Sequence, residues 1–149
     1  MDYLLQEGTL TLPEGFLDRT VNLFILGDSM PAPQNVTLSR DDLLKGEDLD
    51  AYVQRQVKLI ASKLSGYTIL SQTSAQLSTS QPLAGIQVDG YYLKEGRPLY
   101  QRQAAFEVAP GRILVFSLTS QADFSSQQND SWCALLSSFK PHPLNTMQG

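Results

Sequence analysis

Short runs of alternating apolar and polar residues fill most of the chain, and two longer stretches repeat apolar residues at helical spacing. Residues 3–12 (Tyr-Leu-Leu-Gln-Glu-Gly-Thr-Leu-Thr-Leu) predict a first strand, ended by Pro13-Glu14-Gly15. Thr20 to Leu26 is a second. There Val21, Leu23 and Ile25 point one way and Asn22, Phe24 and Leu26 the other, so cover is expected on both faces. Gly27 to Pro33 reads as a loop. Gln34 to Ser39 predicts a third strand, with Val36 and Leu38 on one face and Asn35, Thr37 and Ser39 on the other. Four further β segments, 67–78, 84–93, 98–108 and 112–119, include the short links Lys94-Glu95-Gly96-Arg97 and Pro110-Gly111, and suit a meander of hairpins. The segment from Arg112 to Thr119 is apolar on both faces and is expected to be central.

After the turn region Asp41–Gly46, the clearest helix runs from about Asp48 to Leu64. Its stripe of Leu49, Tyr52, Val53, Gln56, Val57, Ile60 and Leu64 follows the i, i+3, i+4 spacing of one buried face, and Ser65-Gly66 ends it. A second helix is expected from about Phe124 to Phe139, with Trp132, Leu135, Leu136 and Phe139 turned inward. Pro141-His142-Pro143 cannot continue a helix. The expected organisation is a single domain over residues 1–140 and a flexible C-terminal tail over 141–149. The fold class is α+β: a single antiparallel sheet of about six or seven strands with two helices packed on it.

Composition narrows the function classes. A chain of 149 residues, 42% hydrophobic and 17% charged, can bury a real core. A net charge of −4, with 11 Lys and Arg scattered singly, argues against a nucleic-acid partner, because phosphate binding needs clustered cations. The single cysteine, Cys133, leaves no internal disulfide and no multi-cysteine metal site. The N-terminus lacks the basic start and apolar run of a secretory signal. No stretch approaches the roughly 20 apolar residues of a membrane span. A cytoplasmic location is therefore expected.

The chemistry of an active site is not evident. The only histidine, His142, sits between two prolines, which does not suit a Ser–His–Asp or Cys–His arrangement. The acidic residues Asp41, Asp42, Glu47, Asp48 and Asp50 fit a helix entry and lack the spacing of a calcium loop. No glycine-rich phosphate cradle occurs. No enzyme activity, cofactor or metal is expected.

Two features call for more than packing. Gln56 interrupts an apolar helical stripe, and a buried amide without partners costs about 1–3 kcal/mol. It either bonds a sheet carbonyl, sits at the stripe's edge, or serves a ligand. Along 98–108, Leu99, Gln101, Gln103 and Ala105 share one face, while Tyr100, Arg102, Ala104 and Phe106 take the other. Amides on a packable face suit a groove that is apolar yet offers hydrogen bonds, or an exposed sheet edge.

Four stretches carry a family resemblance: Val21-Asn22-Leu23-Phe24, Ser39-Arg40-Asp41, Tyr52-Val53-Gln54-Arg55-Gln56 and Gln101-Arg102-Gln103. In their order and separations the chain resembles the Eag chaperones, DcrB-like domains of PsbP-like fold encoded beside type VI secretion effectors. The likeness extends nearly to Pro141. It implies a cytoplasmic homodimer that holds the N-terminal transmembrane helices of a membrane-penetrating effector. It further implies help in presenting the effector's PAAR region to the secretion spike, with no direct membrane insertion. Carried onto this chain, the groove's apolar floor falls on Val21, Leu23, Ile60 and Leu64, and its polar contacts on Ser39, Gln56 and Gln103, with Asn35 and Thr37 beside them. Thr37 stands where the family generally has an aliphatic residue, and Ile60 where it can have a smaller one. The competing readings are a lipid or small apolar ligand-binding PsbP-like domain, an unrecognised hydrolase or transferase, and a purely structural subunit.

Overall fold

In chain order the elements are β1 (Asp2–Leu4), β2 (Thr9–Thr11), β3 (Asn22–Ile25), β4 (Gln34–Asp42), α1 (Leu49–Lys63), β5 (Thr68–Leu77), β6 (Leu83–Lys94), β7 (Arg97–Ala109), β8 (Arg112–Ser120) and α2 (Ser126–Ser137). The computed structural model describes residues 2–25 and 34–142; Met1, Leu26, the stretch 27–33 read as a loop and residues 143–149 of the expected tail lie outside them. The main sheet has six strands in the order β3-β4-β8-β7-β6-β5, and every pair is antiparallel. The meander from β5 to β8 is as the short links predict. Glu95 and Gly96, both at positive φ (55° and 77°), make the tight β6–β7 turn.

α1 and α2 lie on opposite faces, making the sheet the middle of three layers. α1 is N-capped by Asp48, whose side chain accepts from the Ala51 N–H (2.8 Å). It buries Tyr52 and Val53 against Val88, Ala105 and Ile113. α2 starts with a reciprocal capping box between Ser125 and Gln128. It packs Trp132 and Leu136 on Leu77, Ala104, Phe106, Leu114, Phe116 and Leu118. β8 contributes to both clusters, as expected of a central strand. Gly85 has a steric reason to be glycine: a Cβ there would come within 2.4 Å of the Ala105 carbonyl oxygen and the Phe106 ring.

Four expectations are corrected. Residues 3–12 are not one strand of the sheet. The polar Gln6-Glu7-Gly8 breaks their alternation, and the chain folds back into a separate β1–β2 hairpin, with Leu5 N–H on the Gly8 carbonyl at 2.7 Å. β3 is an edge strand whose apolar residues stay exposed on both faces. α1 packs on β6 and β7; β3 lies three strand spacings from β7, about 14 Å, beyond the reach of a helix about 10–12 Å across. β4 continues to Asp42 rather than ending at Ser39. Finally, Leu135 is exposed, leaving Trp132 and Leu136 as the fully buried residues of α2.

Candidate functional site

The uncovered part of the α1 face is a trough. Directly paired residues of antiparallel strands share a face, so the registers give its floor row by row. One row runs Leu23, Thr37, Ser117, Gln103 and Val88 from β3 to β6. The row on one side is Ile25, Asn35, Thr119, Gln101 and Gly90. On the other side Ser39, Val115, Ala105 and Ile86 follow one another. α1 bounds this face on one side, over β6 and β7, and the edge strand β3 ends it on the other.

At the α1 end of these rows the trough deepens into a recess of about 150 Å³, whose lining includes Ser39, Tyr52, Val53, Gln56, Val57, Gln103, Val115 and Ser117. Of the residues singled out in the sequence, Ser39, Gln56 and Gln103 thus meet at one place. Leu23, Thr37 and Asn35 continue the same face toward the open edge. Val21, before β3, is exposed. Ile60 and Leu64 are half-buried, away from the recess lining, and the Leu64 N–H closes the helix on the Ile60 carbonyl (2.9 Å).

The expected division into apolar floor and polar contacts is therefore rearranged. The middle of the floor is hydroxyl and amide; apolar side chains come from β3 at the sheet's edge and from α1 over β6 and β7, with β4 and β8 between them. Sequence reasoning missed Ile25, Ser117 and Thr119. The last two were findable: they follow Val115 at spacings of two and four on a strand read only as apolar.

Among the described residues, the side chains of Asn35, Thr37, Ser39, Gln56, Gln103, Ser117 and Thr119 have no hydrogen-bond partner. The Oε1 of Gln101 is buried without one. The helix wall, by contrast, is tied down. The Tyr52 hydroxyl donates to Asp41 Oδ2 at 2.9 Å, and burial, reinforced by that carboxylate, raises its pKa. Arg55 donates twice to Glu47 (2.8 and 2.9 Å). With the Leu44 N–H, this holds the Glu47 carboxyl below its usual range. The site offers hydrogen bonds and apolar contact on a firm frame. Among the described residues no cluster of His, Cys, Asp or Glu is placed to hold a metal, and no helix is long and apolar enough to cross a membrane.

Six antiparallel strands between two helices, with one face half open, define a DcrB-like α+β domain. The chain belongs to the DcrB family, whose profile matches residues 7–138. It is 26% identical over 142 residues, 95% of this chain and 96% of the relative, to the Pseudomonas aeruginosa protein named Effector EagT6. A crystal structure from Pseudomonas aeruginosa, described as a protein of unknown function and putative regulator, superimposes with a TM-score of 0.74 at 25% identity, covering 96% of this chain and 97% of that one. LpqN of Mycobacterium tuberculosis, described as involved in cell envelope biogenesis, aligns at TM-score 0.48 and 17% identity over 83% of each chain, too distant to carry an argument.

Proposed function

We propose that this protein is a cytoplasmic chaperone and adaptor for a type VI secretion effector. It binds and shields the effector's N-terminal transmembrane helices and helps load the effector, through its PAAR region, on the secretion spike. It works as a homodimer and catalyses nothing. The likeness to Effector EagT6 supports the association with type VI effectors. The observation that carries the reading is the half-open trough with unpaired amides and hydroxyls along its floor and apolar side chains on its flanks.

The dimensions agree with such a guest. A spanning helix of about 20 residues is about 30 Å long. β4, with 9 residues, extends about 30 Å at a strand's rise. Left in water, the guest's apolar surface would cost roughly 25 cal/mol per Å², which the trough's flanks relieve. Ser39, Gln56 and Gln103 would bond small polar residues of the guest, as side chains do between membrane helices, each worth about 0.6–2 kcal/mol. At this site the lipid or small-ligand reading fares worse, because the recess of about 150 Å³ is well below the roughly 300–1,000 Å³ of small-molecule sites; the wider cleft of about 490 Å³ lies on the α2 face beside Trp132 and Leu136, away from these amides. The recess suits one side chain of a guest helix.

The test is co-expression with the effector's N-terminal segment followed by size exclusion. The double variant Gln56→Leu/Gln103→Leu removes two such bonds, so it should hold the segment at least about tenfold more weakly, since 1.4 kcal/mol is tenfold. Its melting temperature should stay near wild type. Retention of the segment at wild-type affinity by that variant overturns the role given to these amides.

A further inference from the structure

β5, at the end of the sheet away from the trough's open edge, is a long strand with one side unpaired. It runs ten residues, Thr68–Leu77, and Thr68 to Ser74 are all exposed. Its outer side leaves alternate backbone N–H and C=O groups without a ladder partner. Edges of this kind are usually blunted by charge, proline or shortness. β5 has none of these: Thr-Ile-Leu-Ser-Gln-Thr-Ser-Ala-Gln-Leu carries no ionisable side chain and no proline. Its one irregularity lies between Ile69 and Ser71, and from Ser71 to Leu77 the ladder is regular.

A cleft of about 490 Å³ opens beside this edge. Neighbouring side chains of a strand point to opposite faces. Lining by Ser74, Ala75 and Gln76 in succession therefore puts the strand's own edge at the cleft's mouth. The floor inside is Gln87 and Arg102, and the wall is the stripe of α2 that holds Trp132, Cys133 and Leu136. At one end the wall is pinned to the sheet. The Ser78 N–H donates to the Leu136 carbonyl (2.9 Å) and the Thr79 N–H to that of Ser137 (3.2 Å). Arg102 is the one ionised residue of the lining, and Asp89 matches its charge at 2.8 Å. The cleft thus offers neutral space, and the edge beside it offers main-chain hydrogen bonds.

We propose that β5 takes up an extended, uncharged peptide segment of another protein as a seventh strand, with one large apolar side chain of that segment seated in the cleft beside Trp132. In strand addition the main chain supplies affinity and a flanking pocket supplies specificity. The charge balance selects the anchor: a Lys, Arg, Asp or Glu side chain would enter a lining with no unmatched opposite charge, which is costly. The volume selects its size. The cleft is more than three times the recess on the α1 face, room for an aromatic ring. A second copy of β5 does not fit, because the side chains it would offer on this face are Ser71, Thr73 and Ala75, which leave the cleft empty. Nor does a transmembrane guest, since a helix has spent its backbone groups on itself. The inference stands apart from effector binding in the trough.

Trp132 and Cys133, the chain's single tryptophan and single cysteine, both line the cleft, and Cys133 is exposed. They report occupancy in the full chain without any substitution. The probe is the capped peptide acetyl-Thr-Thr-Val-Phe-Val-Thr-Thr-amide. It should slow the reaction of Cys133 with a maleimide in a saturable way and shift the Trp132 emission with the same midpoint. Alanine, glutamate or lysine in place of the phenylalanine should each raise that midpoint at least tenfold. Two further peptides carry N-methyl groups on alternate amides, one set on each edge of the strand. One should bind at least tenfold more weakly and the other like the parent; any other pattern overturns strand addition. The Gln56→Leu/Gln103→Leu protein should protect Cys133 as wild type does. Loss of protection in that variant would move the peptide to the trough and overturn the proposal, as would a Cys133 reaction rate that millimolar peptide leaves unchanged.

Discussion

On the α2 face of the sheet, Arg102 is buried yet fully engaged: it donates to both oxygens of Asp89 (2.9 and 2.8 Å) and stacks 4.5 Å from the Phe124 ring centroid. Trp132 Nε1 beside it donates to Gln87 Oε1 at 2.9 Å. On the α1 face, one residue along the same strand in either direction, Gln101 and Gln103 bond nothing among the described residues. The two faces share strands, backbone and solvent. They differ in whether polar groups are matched inside the chain. An unmatched buried group costs about 1–3 kcal/mol, so a protein tolerates a row of them only where water or a partner reaches. The α2 face is built for folding, the α1 face for something else to complete.

The largest expected effect breaks the satisfied face. Arg102→Ala leaves the Asp89 carboxylate nearly buried without its partner and should cost about 3–5 kcal/mol. Urea unfolding should show it as a lower midpoint at unchanged slope, while effector binding, measured well below the midpoint, stays at wild-type strength. A loss under 1 kcal/mol would mean that the buried ion pair is not what distinguishes this face.

The contrast between faces was only partly visible in the chain. Alternation along 98–108 separates Gln101 and Gln103 from Arg102 correctly, because side-chain direction in a strand is a local property. Gln56 stood out because it interrupts a helical stripe, again a local pattern, and the structure places it with Ser39 and Gln103. The exposure of β3 and the polar floor were not legible. Both follow from β4 pairing with β8, 70 or more residues later, and from α1 settling over β6 and β7. No periodicity within β3 or β8 encodes those choices. The hairpin was misread for a related reason: its two three-residue strands resemble one long strand until Gly8 is seen to turn the chain.

A smaller effect sharpens the comparison inside the α1 face, at its closed end. Tyr52 is matched there, to Asp41, in contrast to the free amides in the same recess. Its pKa lies above the ordinary value of 10.0, through burial first and Asp41 second. A raised folded-state pKa stabilises the fold fully below the unfolded value and loses that contribution as the pH climbs past it. Wild type should therefore lose stability above about pH 10, and Tyr52→Phe should flatten that part of the profile. At pH 7 the same variant should be about 1 kcal/mol less stable, for the lost hydrogen bond. Denaturant melts between pH 7 and 11 read both. Parallel alkaline profiles for the two proteins would show that Tyr52 ionises as freely folded as unfolded.

The smallest effect has the opposite sign. Gln101 Oε1 is buried and unpartnered, between Thr119 and Gly90 in its row. Gln101→Leu keeps the side chain's approximate volume and removes the unmade bond, so it should raise stability by about 1 kcal/mol, or about 2–4 °C in melting temperature for a domain this size. Two neighbours on one strand would then respond in opposite directions: truncating Arg102 costs the fold dearly, while making Gln101 apolar helps it. If the amide is kept for a guest, the stabilised variant should also hold the effector segment less well, as at other sites where function is maintained against stability. A Gln101→Leu protein that is destabilised would show that the amide is matched in solution, by water or a neighbour. The α1 face would then be no less satisfied than the α2 face.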